Sequence, residues 1–414
     1  MQELPMTDKA RWTVMIYMAG DNNLSDAADR DLVELRRVGS TAEVNVVVEV
    51  DNAGPGGTRR IHVQPGGAGE AVETLGETDS GDPAVLASFI EWAAERFPAE
   101  RYALVLWNHG GGWQPDEMDR VAQAVSAPGF SPGEASERSS SALGRVFFRS
   151  SLETIFRLPE PEERAICSDD GTGHSLDMVE LGRVLADATA RLGQPLDLIG
   201  MDACLMSNIE VAYQVAPYAR YLVASEEIEP NQGWPYDAIL GTLTAHPELP
   251  TAQLAAGIVD AYVAFYDGLG NATVTQAALD LARLAELSVP LDALAEAIMA
   301  RMPGIARQVW EAQRGSTRFH GNTLWDITHF CAALEALGPE AEVAVAAGAV
   351  RAALAPGPDR PLLASALRGA KVAQCGGLSI YFQPYGRNLS QYYGDVRFAA
   401  EHRWPAMLIA YHAS

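Results

Sequence analysis

The feature that most constrains this chain is a set of short, almost wholly apolar runs at residues 12–19, 45–50, 102–107, 196–201 and 221–224, separated by stretches with helical spacing. A strand that alternates apolar and polar residues can leave one face in water. A run that is apolar throughout must be covered on both faces, the condition met inside a mostly parallel sheet flanked by helices. The intervening segments supply those helices. One begins at Leu24 or Ser25 after the turn Gly20, Asp21, Asn22 and Asn23, and ends by Gly39. A second begins at Asp82-Pro83, with Pro83 suited to the first helical turn, and others occupy 175–192 and 208–216. Residues 59–64 read as an edge strand. The expected class is an α/β three-layer sandwich joined by right-handed crossovers.

At 414 residues the chain exceeds what one core usually serves. The division read from it is a catalytic α/β domain over 1–245, interrupted by an exposed insertion at 114–164, and a largely helical C-terminal part over 246–414 that packs on it. The insertion is marked by Pro128, Gly129, Pro132, Gly133 and the serine run 139–141. The C-terminal part is Ala- and Leu-rich, apart from a strand at 378–382 that returns to the main body.

Lys and Arg number 30 against 54 Asp and Glu, a net charge of −24 that disfavours nucleic acid or an anionic membrane and favours basic protein or peptide partners. No 18-residue apolar stretch or leader-like pattern is present, so a cytoplasmic setting is the default expectation. The four cysteines (Cys167, Cys204, Cys331, Cys375) have neither a zinc-binding nor a disulfide-framework spacing.

In an open parallel sheet, ligands bind beyond the carboxyl ends of the strands, so residues that directly follow the apolar runs are the first candidates for chemistry. Run 102–107 leads into Asn108, His109, Gly110, Gly111, Gly112 and Trp113, and run 196–201 into Asp202, Ala203 and Cys204. Acyl transfer needs a nucleophile, a base in hydrogen-bond reach and donors for an oxyanion. Cys204, His109 and the main-chain N–H groups of Gly110 and Cys204 supply those three parts. Taken alone, Cys204 reads more readily as a packing cysteine and His109 as a loop histidine; their paired position after two strands raises the catalytic reading to equal standing. Cys167, Cys331 and Cys375 are read as packing residues.

The segments WTVMIYMAGDNNLSDAADRDL, LVLWNHGGGW, MDACLMSNIEVAY, VASEEIEPNQGWPYDAIL and GGLSIYFQP, in that order over nearly the whole chain, resemble the clostripain family of cysteine peptidases. The resemblance implies a caspase-like fold, a Cys-His dyad at Cys204 and His109, and endopeptidase cleavage after Arg or Lys. By motif position Asp202 then lines the pocket for the basic side chain. Two residues from Cys204 on an extended segment, it faces the same side as the nucleophile. Glu226, Glu227 and Glu229 add acid nearby without singling out a second pocket residue.

The resemblance also implies maturation by cleavage between the His and Cys segments, for which Arg138 and Arg145 are the candidate sites. The dyad chemistry requires no cofactor. Calcium, which stimulates some relatives, is retained as an activator option through Asp21, Asp26, Asp29, Asp51, Asp169 and Asp170, although no EF-hand spacing occurs. Two other readings stay open: a catalytically silent peptide-binding or scaffold protein of the same fold, and a non-peptidase thiol amidohydrolase.

Overall fold

The computed structural model describes residues 9–22, 24–53, 56–113, 166–167, 169, 172, 174–270, 273–319, 323–390 and 393–414. The expected insertion at 114–164, with Arg138 and Arg145, lies outside the described residues.

Every apolar run became a strand. The elements of the first half are β1 (Ala10–Gly20), α1 (Ser25–Val38), β2 (Val44–Asn52), β3 (Thr58–His62), β4 (Ala71–Gly76), α2 (Pro83–Arg96), β5 (Ala99–Trp107), α3 (Met178–Leu192), β6 (Leu196–Asp202), α4 (Ile209–Val215) and β7 (Ala219–Ala224). Then follow α5 (Tyr236–Ala245), α6 (Thr251–Leu269), β8 (Val274–Asp280), α7 (Ala285–Met299), α8 (Ala306–Gly315), β9 (Arg318–Phe319), β10 (Leu324–Asp326), α9 (Ile327–Ala336), α10 (Ala341–Ala353), β11 (Leu362–Arg368) and β12 (Ser379–Tyr381).

The main sheet has the order β11-β8-β7-β6-β5-β1-β2-β3-β4. Its centre, β7-β6-β5-β1-β2, is parallel, and an antiparallel pair flanks it on each side. Strand β1 shows why the central runs are apolar on both faces. Met15, Tyr17 and Ala19 enter the core beneath α2, α3 and α4, while Trp12, Val14, Ile16 and Met18 enter the opposite core beneath α1, α5 and α6. This is the three-layer sandwich expected. Local signals set the helix starts: Asp82 accepts a hydrogen bond from Ala84 N at 2.8 Å with Pro83 at the first helical position, and Asp177 and Glu180 form a reciprocal capping box.

Three departures from the sequence reading have physical causes. Residues 59–64 lie one place in from the edge, because β4, a short strand with Glu73 and Thr74 in its middle, pairs outside β3. Strands β8 and β11 extend the main sheet from beyond residue 245, so the sheet crosses the expected division there. Their sequences, VTQAALD and LLASALR, are rich in residues of good helix propensity, and pairing of β8 with β7 and of β11 with β8 overrides that preference. The strand near the end, β12, joins a small sheet with β10 and β9. It reaches the main body through a bridge from Ser379 to Asn208. No helix among the described residues is long and apolar enough to cross a membrane.

Candidate active site

Strands β5 and β6 are parallel neighbours in a register that sets Trp107 beside Asp202. Two residues further along each chain stand His109 and Cys204, so the register alone carries the imidazole and the thiol to the same edge of the sheet. Both line one cavity of about 40 Å³, with Asp202, Glu229, Asn231 and Gly233 among the other walls. That is room for a few water molecules or a cationic head group of similar size.

The turn that carries Cys204 is tightly determined. Leu205, directly after Cys204, adopts a left-handed φ of 66°, a cost that a non-glycine residue bears only when its surroundings fix it. Its N–H donates to Glu227 O at 3.3 Å. Gly110 is required: a Cβ there would lie 2.2 Å from Cys204 O. Main-chain N–H groups reach the sulfur from two sides, from Glu229 at 3.4 Å and from Gly110. Asn108 fixes the other strand end through hydrogen bonds to Ala19 O and from His109 N. Gly110 also bridges to Ile166, so the segments on either side of 114–164 meet beside His109.

Burial governs the ionisation of the pair. It pushes the Cys204 thiol up to about 11, against the two N–H donors, and nearby Glu227 and Asp202 push it the same way. His109 keeps part of its residue surface at the cavity, yet desolvation of its ring pushes the imidazole down to about 3. Desolvation thus favours the neutral form of both groups at pH 7, a thiol and an imidazole on one cavity.

The acids separate into distinct environments. Asp202 is 5% exposed and accepts from Tyr236 Oη at 2.8 Å and Trp234 N at 3.2 Å through Oδ2. Glu229 shares its wall of the cavity; burial raises both carboxyls, and the nearby Asp202 charge raises Glu229 further. Of the three glutamates after β7, Glu229 alone lines the cavity. Glu226 is buried against Asp326 and Cys375, and Glu227 pairs with Lys371. Among the other acids named from sequence, Asp51 accepts from Thr58 Oγ1, Asp29 from Asn52, and Asp169 from Ser80 N and Thr172 N, all local structural bonds; Asp170 lies outside the described residues. Cys167, Cys331 and Cys375 are buried free thiols.

One residue escaped the sequence reading. Asp31 of α1, 3% exposed, accepts from Trp107 Nε1 at 2.7 Å. It lies so close to the cavity's floor that a Cβ on Gly233 would be 3.3 Å from its Oδ2 and 3.1 Å from Asp202 Oδ2. The signal was present: Asp31 falls on the helix face of Leu24, Ala27 and Ala28, where an apolar residue belongs.

The family model of the clostripain family matches residues 16–130 and 157–331. The chain belongs to the clostripain family. Clostripain of Hathewaya histolytica is 26% identical over an alignment 264 residues long that covers 56% of this chain and 42% of that protein; the chain thus spans less than half of this curated relative. Two solved structures share the clostripain-type fold along nearly their whole length. A secreted C11 cysteine protease from Bacteroides thetaiotaomicron, in complex with an irreversible peptide inhibitor, has a TM-score of 0.62 at 20% identity, covering 96% of this chain and 99% of that one. An inactive zymogen C11 protease from Parabacteroides distasonis has a TM-score of 0.65 at 18% identity, covering 98% and 99%.

Proposed function

We propose that this clostripain-family protein is a cysteine endopeptidase that cleaves after Arg or Lys, with Cys204 as nucleophile and His109 as base. The observation that carries this reading is the convergence of the two on one cavity that also holds the Asp202 and Glu229 carboxyls. In a site whose resting pair is neutral, His109 takes the thiol proton as sulfur attacks the scissile carbonyl. The Gly110 and Cys204 amides hold the oxyanion, His109 returns the proton to the departing amine, and water releases the acyl group. Asp202, held by Tyr236 and Trp234, receives the guanidinium or ammonium of the residue before the scissile bond, and Glu229 is the second acid of that pocket. The same specificity directed at the chain's own insertion makes Arg138 and Arg145 candidate sites of self-cleavage.

The test is hydrolysis of matched fluorogenic peptides ending in Arg, Lys, Asp or Leu, with and without calcium. Wild type is expected to cleave the Arg and Lys peptides, and Cys204→Ala none. Incubated wild type should give fragments from the insertion while Cys204→Ala stays intact. An inert wild type, even after limited nicking of the insertion by trypsin, would remove the general peptidase reading.

A further inference from the structure

On the cavity side of α1, Leu24 and Ala27 form part of the wall, and Asp31 follows one turn below Ala27 on the same face, beneath the floor. Its carboxyl does not line the cavity. It is set against the Asp202 carboxyl across Gly233, the one residue type that leaves room for both, at a φ of 57° that other residues rarely adopt. Asp31, Asp202 and Glu229 are 3%, 5% and 8% exposed, and none makes an ion pair among the described residues. Three carboxyls in one desolvated region cannot all be ionised without a cation.

We propose that Asp31 is a positioning residue of the specificity pocket: its carboxyl completes a buried acid cluster with Asp202 and Glu229 that gives up a proton when a basic side chain enters, so that Asp31 tunes how strongly a cation is preferred over a neutral side chain of the same shape. This rests on the reading of Asp202 as the pocket acid. Entry of the cation makes the charged state of the cluster favourable, and the proton leaves to solvent; no covalent step is involved.

The groups that face Asp31 are consistent with that role. From its own helix come Arg30, which opposes the rise of its pKa, and Glu34, which adds to it. Strand β5 supplies the Trp107 N–H donor and β6 the Asp202 carboxyl, while the hydroxyls of Tyr236 on α5 and Tyr266 on α6 complete the surroundings. Burial first, and then the Asp202 charge, push Asp31 up to about 8. Its last proton is thus lost near neutral pH, where a bound cation can displace it.

The experiment compares wild type with Asp31→Asn, which keeps the shape and an acceptor for Trp107. Peptides ending in Arg or in its neutral isostere citrulline are followed from pH 6 to 9. In wild type the Arg-over-citrulline ratio of kcat/KM is expected to rise with pH through about 8. In the variant that limb should disappear, with the ratio at pH 8.5 lower by roughly tenfold, as one pKa unit implies. In parallel, calorimetry of agmatine binding to wild type, in two buffers of different ionisation heat at pH 7.5, should register proton release. A variant that loses activity equally on both peptides with an unchanged pH profile, or a wild type that releases no proton, would overturn the proposal. Failure of wild type to cleave any peptide would instead count against the peptidase reading, and the calorimetric arm separates the two.

Discussion

Two buried acidic regions of this molecule are built in opposite ways. Where β2 meets β3, Glu49 lies directly opposite Arg60, whose Nε donates at 2.6 Å. The guanidinium also donates to Ser88 Oγ at 3.0 Å and lies over the Trp92 ring. Around the cavity, Asp31, Asp202 and Glu229 are just as deeply buried; among the described residues Asp31 accepts from Trp107 and Asp202 from Trp234 and Tyr236, while both Glu229 carboxylate oxygens lack a hydrogen-bond partner. Even with its arginine, Glu49 is pushed up to about 7 by burial, which measures how strongly this interior resists a carboxylate. On the proposed reading, the positive half of the ion pair at this second region is the basic side chain of the substrate.

The sharpest break of this comparison is Arg60→Met, which strands Glu49. It should cost about 4 kcal/mol at pH 8 in denaturant unfolding, and less at pH 5, where Glu49 takes up a proton. Removing the acid on the other side should act on catalysis instead. Asp202→Asn is expected to lower kcat/KM on Arg peptides by about 3 kcal/mol, somewhat over a hundredfold, with no loss of folding stability. A variant that lost stability and selectivity together would erase the distinction between the two regions.

The thiol reports on the same desolvated wall. With Cys204 pushed up to about 11, its alkylation by iodoacetamide in the empty enzyme at pH 7.4 should be roughly a hundredfold slower than that of an ordinary thiol, and should climb steadily into the alkaline range. A fast reaction at pH 6 would mean a standing thiolate-imidazolium pair. The last test concerns stability and pH. Because the folded state holds Asp31 up to about 8, its contribution is full below the unfolded value near 4 and is lost as pH rises through 8. Asp31→Asn should therefore be more stable than wild type at pH 9, by as much as about 5 kcal/mol for a shift of about four pKa units, and show little advantage at pH 4, as followed by thermal melts across that range.

The centre of the fold was legible because burial on both faces writes itself into composition: runs such as residues 45–50 and 196–201 leave no other economical reading. The flanks were not, because β4 mixes polar residues and β8 and β11 read as helix until a neighbour offers its hydrogen bonds. For the site, the positions of His109 and Cys204 just past adjacent strands could be read from chain order, since parallel register carries equal offsets to the same height. The choice of Glu229 among three glutamates depended on how the chain turns after β7. Asp31 belongs to a helix more than 170 residues upstream of Asp202, a proximity that follows only from packing α1 against the end of the sheet.

The hydrogen bonds around Ser207 also bear on the order of events at birth. Ser207 stands three residues past Cys204; its Oγ donates to Gly377 O at 2.6 Å, and Ser379 N and Oγ both donate to its carbonyl at 3.0 Å. Trp113, just beyond the glycines that follow His109, packs on Tyr381 and Tyr393 with ring centroids 4.8 Å away in each case. A ribosome releases His109 and Cys204 long before those partners. The braces behind the site are thus made after the residues they hold, and a nascent chain that has reached Cys204 but not Gly377 carries His109 and Cys204 without those contacts.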